Sequence, residues 1–248
     1  MSCGSWRKSE EAALPATPIS RGTNRLIAAL PRGEREHLLA ACVRVDMAPG
    51  EVLCEPDRPY SHVHFPLTCY YSLVGTVEGH APLEIRQIGS EGMLGATLAL
   101  GVSGAPLRAV VRGAGSALRM GARPFRRALV ENPALLRAVH RYLYALMAQL
   151  AQSTTCARFH EIEARLARWM LMTHDRAQGD SFRSTHGELA DMLGVQRSAV
   201  TIAAGALRDR RLIRYSRGAI DIISRSGLEA ASCECYEAVV SDYARRFG

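Results

Sequence analysis

The chain has 248 residues, 48% hydrophobic and 22% charged, the composition of a globular protein and not of a disordered or fibrous one. No apolar run reaches the roughly 18 residues of a membrane span, and the opening MSCGSWRKSEEAALPATP has no apolar core of a secretory signal. The net charge of +7 is carried almost wholly by arginine, Lys8 being the only lysine, and it favours an anionic partner, nucleic acid first.

In chain order, residues 1–23 read as a disordered leader. Asn24 to Cys42 carries Leu26, Leu30, Leu38 and Leu39 at the spacing of short helices. From about Arg44 to Met120 the chain holds short alternating runs: EVLCE, SHVHFP, YYSLVGTV, LEIRQI, LRAVVRG and SALRM. Turn signals such as Pro49-Gly50, Gly79 and Gly89-Ser90 divide them. Short strands at this spacing predict an all-β barrel or jelly roll.

After Pro133 the pattern becomes helical. Leu136, Val139, Leu143, Leu146 and Leu150 recur at steps of 3 and 4, an a/d seam suited to pairing with a second copy. Leu135, Tyr142 and Met147 widen the apolar face toward the barrel. A further helix face holds Ile162, Leu166 and Trp169, and HDRAQGDSF reads as a polar loop. LIRYSRGAIDII reads as two strands joined at Ser216-Arg217-Gly218, and a last helix carries Leu228, Tyr236, Val239, Val240 and Tyr243.

The stretch LADMLGVQRSAVTIAAGAL breaks once, at Gly194. Thr185 and Glu188 have the spacing of a capping box for the helix before the break. Leu189 and Leu193 turn inward, Ala190 leaves room for a crossing helix, and Val195 buries in the turn. Gly194 can adopt the positive φ that ends the first helix. The second helix starts near Gln196 and packs Val200, Ala203 and Leu207. This is the pattern of a helix-turn-helix. Its second helix would enter the major groove, with Arg197 placed to pair with a guanine and Ser198, Thr201 and Gln196 as secondary contacts. Ser216 and Arg217, at the hairpin tip, would hold the DNA backbone. Arg183, Arg208, Arg210, Arg211 and Arg214 surround the unit.

The order of parts resembles the CRP/FNR superfamily of bacterial transcription regulators. The matching residues are Pro49-Gly50-Glu51, Phe65-Pro66, Gly89 to Gly95, and LADMLGVQRSAV. The resemblance implies an α+β chain: a cyclic-nucleotide-binding-like β-roll (a double-stranded β-helix) at 24–132, a dimerisation helix at 133–156 and a winged helix-turn-helix at 157–248. It further implies a cytoplasmic homodimer bound to a two-fold symmetric double-stranded DNA operator, with RNA polymerase and a small-molecule effector as further partners, and no membrane. The effector pocket would involve Gly92, Met93, Gly95, Leu107, Arg108 and Thr154. Cyclic-nucleotide members carry a Gly-Glu pair and a phosphate-binding arginine. Here Met93 replaces the Glu, and the arginine position falls on Leu107, with Arg108 one residue on and so on the other strand face. Cyclic AMP is therefore not the expected effector. The best-known half-site is read with a Glu just after the arginine; Ser198 stands there, so a different operator is expected.

Seven scattered cysteines, with no C-x2-C pair, predict reduced thiols and no required cofactor or metal; Cys233-x-Cys235 reads as helix packing. Cys3 alone cannot supply an iron–sulfur cluster. His62-x-His64 places two imidazoles on one strand face, so a haem- or metal-binding sensor, or a cupin-like metalloenzyme, stands as the alternative. His80 lies in a later loop, and no carboxylate follows the pair within a few residues. The polar Gln149, Gln152, Ser153 and Thr154 on the long helix fit either a wet pocket or plain solvent exposure, and a regulator working without any effector is the other alternative. No catalytic triad, P-loop or dinucleotide fingerprint is present.

Overall fold

The structure is a computed structural model that describes residues 22–177 and 179–247. The leader up to residue 21, with Cys3 and Lys8, lies outside the described residues.

Asn24 caps α1 (Arg25–Ala28): its side-chain oxygen accepts from the Leu26 and Ile27 amides, while its amide donates to Pro66 O and Gly92 O, tying the helix to the roll. α2 (Arg32–Ala40) follows. Seven strands build the roll: β1 (Val43–Met47), β2 (Val52–Cys54), β3 (His62–Pro66), β4 (Tyr70–Gly75), β5 (Leu83–Ile88), β6 (Arg108–Gly113) and β7 (Gly115–Gly121). They form two antiparallel sheets, ordered β1-β7-β3 and β2-β6-β4-β5. Val63, Phe65, Tyr71, Ile88, Val111 and Met120 fill the core of the roll. β1, which falls within the stretch read as strands but is not named among its runs, is a mostly exposed edge paired with β7.

α3 (Ala122–Glu131) leads to the long helix α4 (Pro133–Phe159), which Asn132 caps by accepting from the Leu135 amide. α4 runs three residues past the expected end. Its rotation also differs from the sequence reading. Leu135, Ala138, Val139, Tyr142 and Ala145 are buried under it, whereas Met147, expected on the barrel side, is 65% exposed. Val139, expected on the dimer seam, is 1% exposed because the roll covers it, and Leu146 packs on the roll core.

The carboxy-terminal unit comprises α5 (Ile162–His174), β8 (Ser181–Arg183), α6 (His186–Leu193), α7 (Arg197–Asp209), β9 (Ile213–Ser216), β10 (Ala219–Ile222), α8 (Arg225–Ala231) and α9 (Cys235–Phe247). The expected polar loop thus ends in a strand, β8, which completes a three-stranded sheet in the order β8-β10-β9. The expected last helix is two helices, since Ser232 caps α8 and a short link precedes α9. α5, α6 and α7 share a core of Leu166, Met170, Leu189, Val200 and Leu207, closed by Ile213, Ile220 and Leu228. α9 turns back along α4, where the Arg246 guanidinium lies 4.1 Å from the centre of the Tyr144 ring. Among the described residues no helix is long and apolar enough to cross a membrane.

The two units are docked through polar contacts. Trp169 Nε1 donates to Glu84 Oε1 at 2.7 Å, and Gln87 Nε2 donates to Thr173 Oγ1 at 2.9 Å. Arg176 Nη2 lies 2.6 Å from Glu91 Oε1 in an ion pair that is almost wholly buried.

Candidate nucleic-acid interface

The local rules read from the sequence operate here. Thr185 accepts from the Glu188 amide, and the Glu188 carboxylate accepts from the Thr185 amide, which completes the capping box. Gly194 ends α6 at φ 65 and ψ 42, and the Val195 amide donates back to Ala190 O, the hydrogen bond of a Schellman turn. A Cβ at Gly194 would stand 3.0 Å from Leu83 Cδ1 of the roll, which could give way, so it is the positive φ that calls for glycine. Ala190 is buried as expected; Leu193 and Val195 are half-buried, because the turn lies at the edge of the domain core.

Gln196, at the N-cap of α7, and Arg197, Ser198 and Thr201 are all exposed. With Ile202, which is 75% exposed, and Arg208, they line one face of α7, while Val200, Ala203, Ala204 and Leu207 bury the other. Gly205 lies one turn on from Thr201 on that outer face, and a Cβ there would meet nothing within 4 Å. The Thr201 hydroxyl donates to Arg197 O and lies 3.0 Å from His186 Nδ1. His186 must then donate to it, the neutral Nδ1–H tautomer. Burial and the nearby Arg197 charge lower the His186 pKa, and its ring stacks on Tyr215 at 4.4 Å. Thr201 is thus partly engaged within the domain.

Ser216 and Arg217 are exposed at the hairpin tip, where Arg217 (φ 48) and Gly218 (φ 79) form the two-residue turn, the left-handed pair that matches strand twist. Arg208, Arg210 and Arg214 are paired with Asp209, Glu163 and Asp221. Arg183, Arg197, Arg211 and Arg217 are exposed and have no ion-pair partner among the described residues. Sequence reasoning did not single out Ile202, Gly205 or the His186–Tyr215 stack. An isoleucine and a glycine on the polar side of an amphipathic helix were the available signal.

The six expected pocket residues do not converge. Gly92 and Met93 lie under α4, where Tyr142 OH donates to Met93 O at 3.1 Å and leaves no room for a Cβ on Gly92. Gly95, at φ 90, packs on Val63. Leu107 is half-buried next to β6, its carbonyl accepting from the Cys54 thiol, and Arg108 pairs with Glu55 at 3.3 Å. Thr154 lines a separate cavity of about 460 Å3 between β5, α4, α5 and α6, with Glu84, Gln87, Arg165, Arg168 and Trp169. His62 and His64 share a strand face with ring centres 6.3 Å apart. They gather no third metal-ligating side chain among the described residues.

This is a β-roll joined by a long helix to a winged helix-turn-helix, an architecture shared with solved structures of CRP/FNR-family regulators. Residues 164–231 match the Crp-like helix-turn-helix domain family. Solved structures with the same fold include FixK2 from Bradyrhizobium japonicum, at 13% identity and TM-score 0.65, covering 77% of this chain and 98% of that one. A CRP/FNR-family regulator from Thermus thermophilus matches at 20% identity and TM-score 0.63, with 77% and 98% coverage. The c-di-GMP-responsive global regulator CLP from Xanthomonas campestris matches at 15% identity and TM-score 0.61, with 77% and 99% coverage. A comparison with curated protein sequences finds no match.

Proposed function

We propose that the chain is a DNA-binding transcription regulator that acts as a homodimer on a two-fold symmetric operator, with half-sites roughly 34 Å apart. The observation that carries this reading is the exposed face of α7. Arg197 and Ser198 stand at its amino-terminal end with Ile202 one turn on, and the wing tip Ser216–Arg217 is exposed as well. A guanidinium there suits the two acceptors of a guanine, and an exposed Ile suits a thymine methyl group. Thr185 at the α6 amino terminus and Gln196 are placed for phosphates.

Dimerisation would use the face of α4 on which Met147 and Leu150 are exposed. The effector site would be the cavity lined by Thr154, Arg165 and Arg168, whose arginines favour an anionic ligand. Tyr142 against Gly92–Met93 and the Arg108–Glu55 pair speak against cyclic AMP held by the usual roll residues.

The test is selection of binding sites from random-sequence DNA, followed by fluorescence anisotropy at several salt concentrations. Arg197→Ala should lose about 1–3 kcal/mol of discrimination at one position of each half-site, while Arg217→Ala should weaken all sequences alike and lower the salt slope by about 1. An unchanged base preference in Arg197→Ala would remove the assignment of α7 as the reading helix.

A further inference from the structure

Away from the DNA-binding face, four side chains converge on one point. Cys156 lies in the last turn of α4, and His160 is the residue that ends that helix, four positions on. Cys233 lies in the link before α9, and Cys235 opens α9. Cys156 Sγ is 3.6 Å from Cys233 Sγ, and Cys235 Sγ is 3.5 Å from His160 Nδ1. The three sulfurs and an imidazole nitrogen all lie within 4.8 Å of one another, the one such group among the described residues. The cysteines are buried and form a small cluster apart from the two main cores, with Ala164 as the partly buried apolar side chain packed on it.

Packing alone does not account for this arrangement. A buried cysteine used as a small hydrophobe has no reason to aim its sulfur at two others and at an imidazole nitrogen. A Cys156–Cys233 disulfide would leave Cys235 and His160 without a role. A tetrahedral zinc ion, with Zn–S of about 2.3 Å and Zn–N of about 2.0 Å, sets its ligand atoms roughly 3.5–3.8 Å apart, the range in which both contacts fall. The surroundings match as well. His160 Nε2 lies 3.1 Å from Glu234 Oε1, and a carboxylate on the far nitrogen fixes the tautomer that turns the Nδ1 lone pair toward a metal. Gln152 Nε2 donates to Cys235 Sγ at 2.9 Å, a contact that suits a thiolate.

We propose that Cys156, His160, Cys233 and Cys235 form a Cys3His zinc site that fastens the start of α9 to the end of α4. Three thiolates and one imidazole fill all four positions of a tetrahedral ion, which makes the site structural and not catalytic. The site sits where the long helix hands over to the DNA-binding unit, since α4 ends at Phe159 and α5 begins at Ile162. From it α9 runs back along α4 and places Tyr243 near Arg25 of the roll. The ion would hold the DNA-binding unit in a fixed relation to the sensor. The sequence alone reads Cys233 and Cys235 as helix packing because their partners stand about 77 positions away on another helix.

The test uses full-length protein expressed with zinc and purified under reducing conditions without chelator. Elemental analysis should find one zinc per chain. Cys233→Ser and His160→Ala should each lose most of it, whereas Cys42→Ser, a cysteine outside the cluster, should keep it. Should the ligand variants fail to fold, the wild type decides: stripped of metal and titrated with Co2+, it should develop the visible absorption of tetrahedral cobalt and a thiolate charge-transfer band. Saturation should come at one equivalent, with three thiols then shielded from a thiol reagent. Protein that retains no zinc and gives no tetrahedral cobalt spectrum would overturn the site, as would zinc-supplied protein in which Cys156 and Cys233 are found joined as a disulfide. None of these readouts involves DNA, so they stand or fall separately from the regulator reading.

Discussion

At the scale of single residues, two residues sit where ordinary preferences would not put them. His64 is 7% exposed in β3, and its Nδ1 has no hydrogen-bond partner. Burial, with the charges of His62 and Arg119, lowers its pKa to about 4. An unfolded imidazole titrates near 6.5. Between those values the unfolded chain binds the extra proton, so folding stability falls as pH drops from about 6.5 to 4, by about 3 kcal/mol in all. Denaturant titrations across that range should show this slope in the wild type and a flatter one in His64→Leu; equal slopes would mean that His64 does not carry the effect. Gly205 is the second case. Glycine inside a helix costs about 0.8–1 kcal/mol against alanine, and nothing in the chain occupies the space its missing side chain leaves. Gly205→Ala should therefore raise the melting temperature. It should also weaken DNA binding, if the glycine is there to let the α7 backbone approach the duplex. Higher stability with unchanged affinity would leave the DNA side of that explanation without support.

At the scale of elements, α4 shows what periodicity can and cannot decide. The stripe Leu136, Val139, Leu143, Leu146 and Leu150 repeats at 3 and 4, but so does Leu135, Ala138, Tyr142, Ala145 and Gln149, and the roll selects the second. Two adjacent stripes of equal period differ by one step of about 100°, and only tertiary contact tells them apart. Rotated to fit the roll, the helix packs Leu136, Leu143 and Leu146 on the roll core and leaves Met147 and Leu150 exposed. Met147→Glu should then shift the protein from dimer to monomer in sedimentation velocity, while Leu146→Ala, beside the roll core, should lower stability more than it changes association. A dimer that survives Met147→Glu would put the interface elsewhere. The helix-turn-helix, in contrast, was legible almost residue by residue. Its signals are local: a cap three residues from its partner and a glycine at one φ. The cysteine cluster was not legible, since ligands on separate elements have no common spacing; β1 was legible, because VRVDM alternates apolar and polar residues, but it was not singled out.

At the scale of the whole molecule, buried polar contacts help to hold the DNA-binding unit against the roll. The central one is Glu91–Arg176. Burial raises the Glu91 pKa, but the attraction of Arg176 and Arg86 outweighs it and holds the carboxyl below the usual range. A depressed carboxylate stabilises the docked state above the unfolded pKa and loses that contribution as pH falls through the lower folded value. Removing one member of such a pair leaves the other buried and uncompensated, at a cost of about 3–5 kcal/mol. The pair here spans two units with separate cores, so the cost should fall on docking before it falls on either core. Glu91→Gln should make the link at residues 160–161 more open to limited proteolysis. Its melting should separate into two transitions where the wild type shows one. A single transition shifted downward, with the link still protected, would mean instead that the roll and the DNA-binding unit unfold together as one cooperative body whatever joins them.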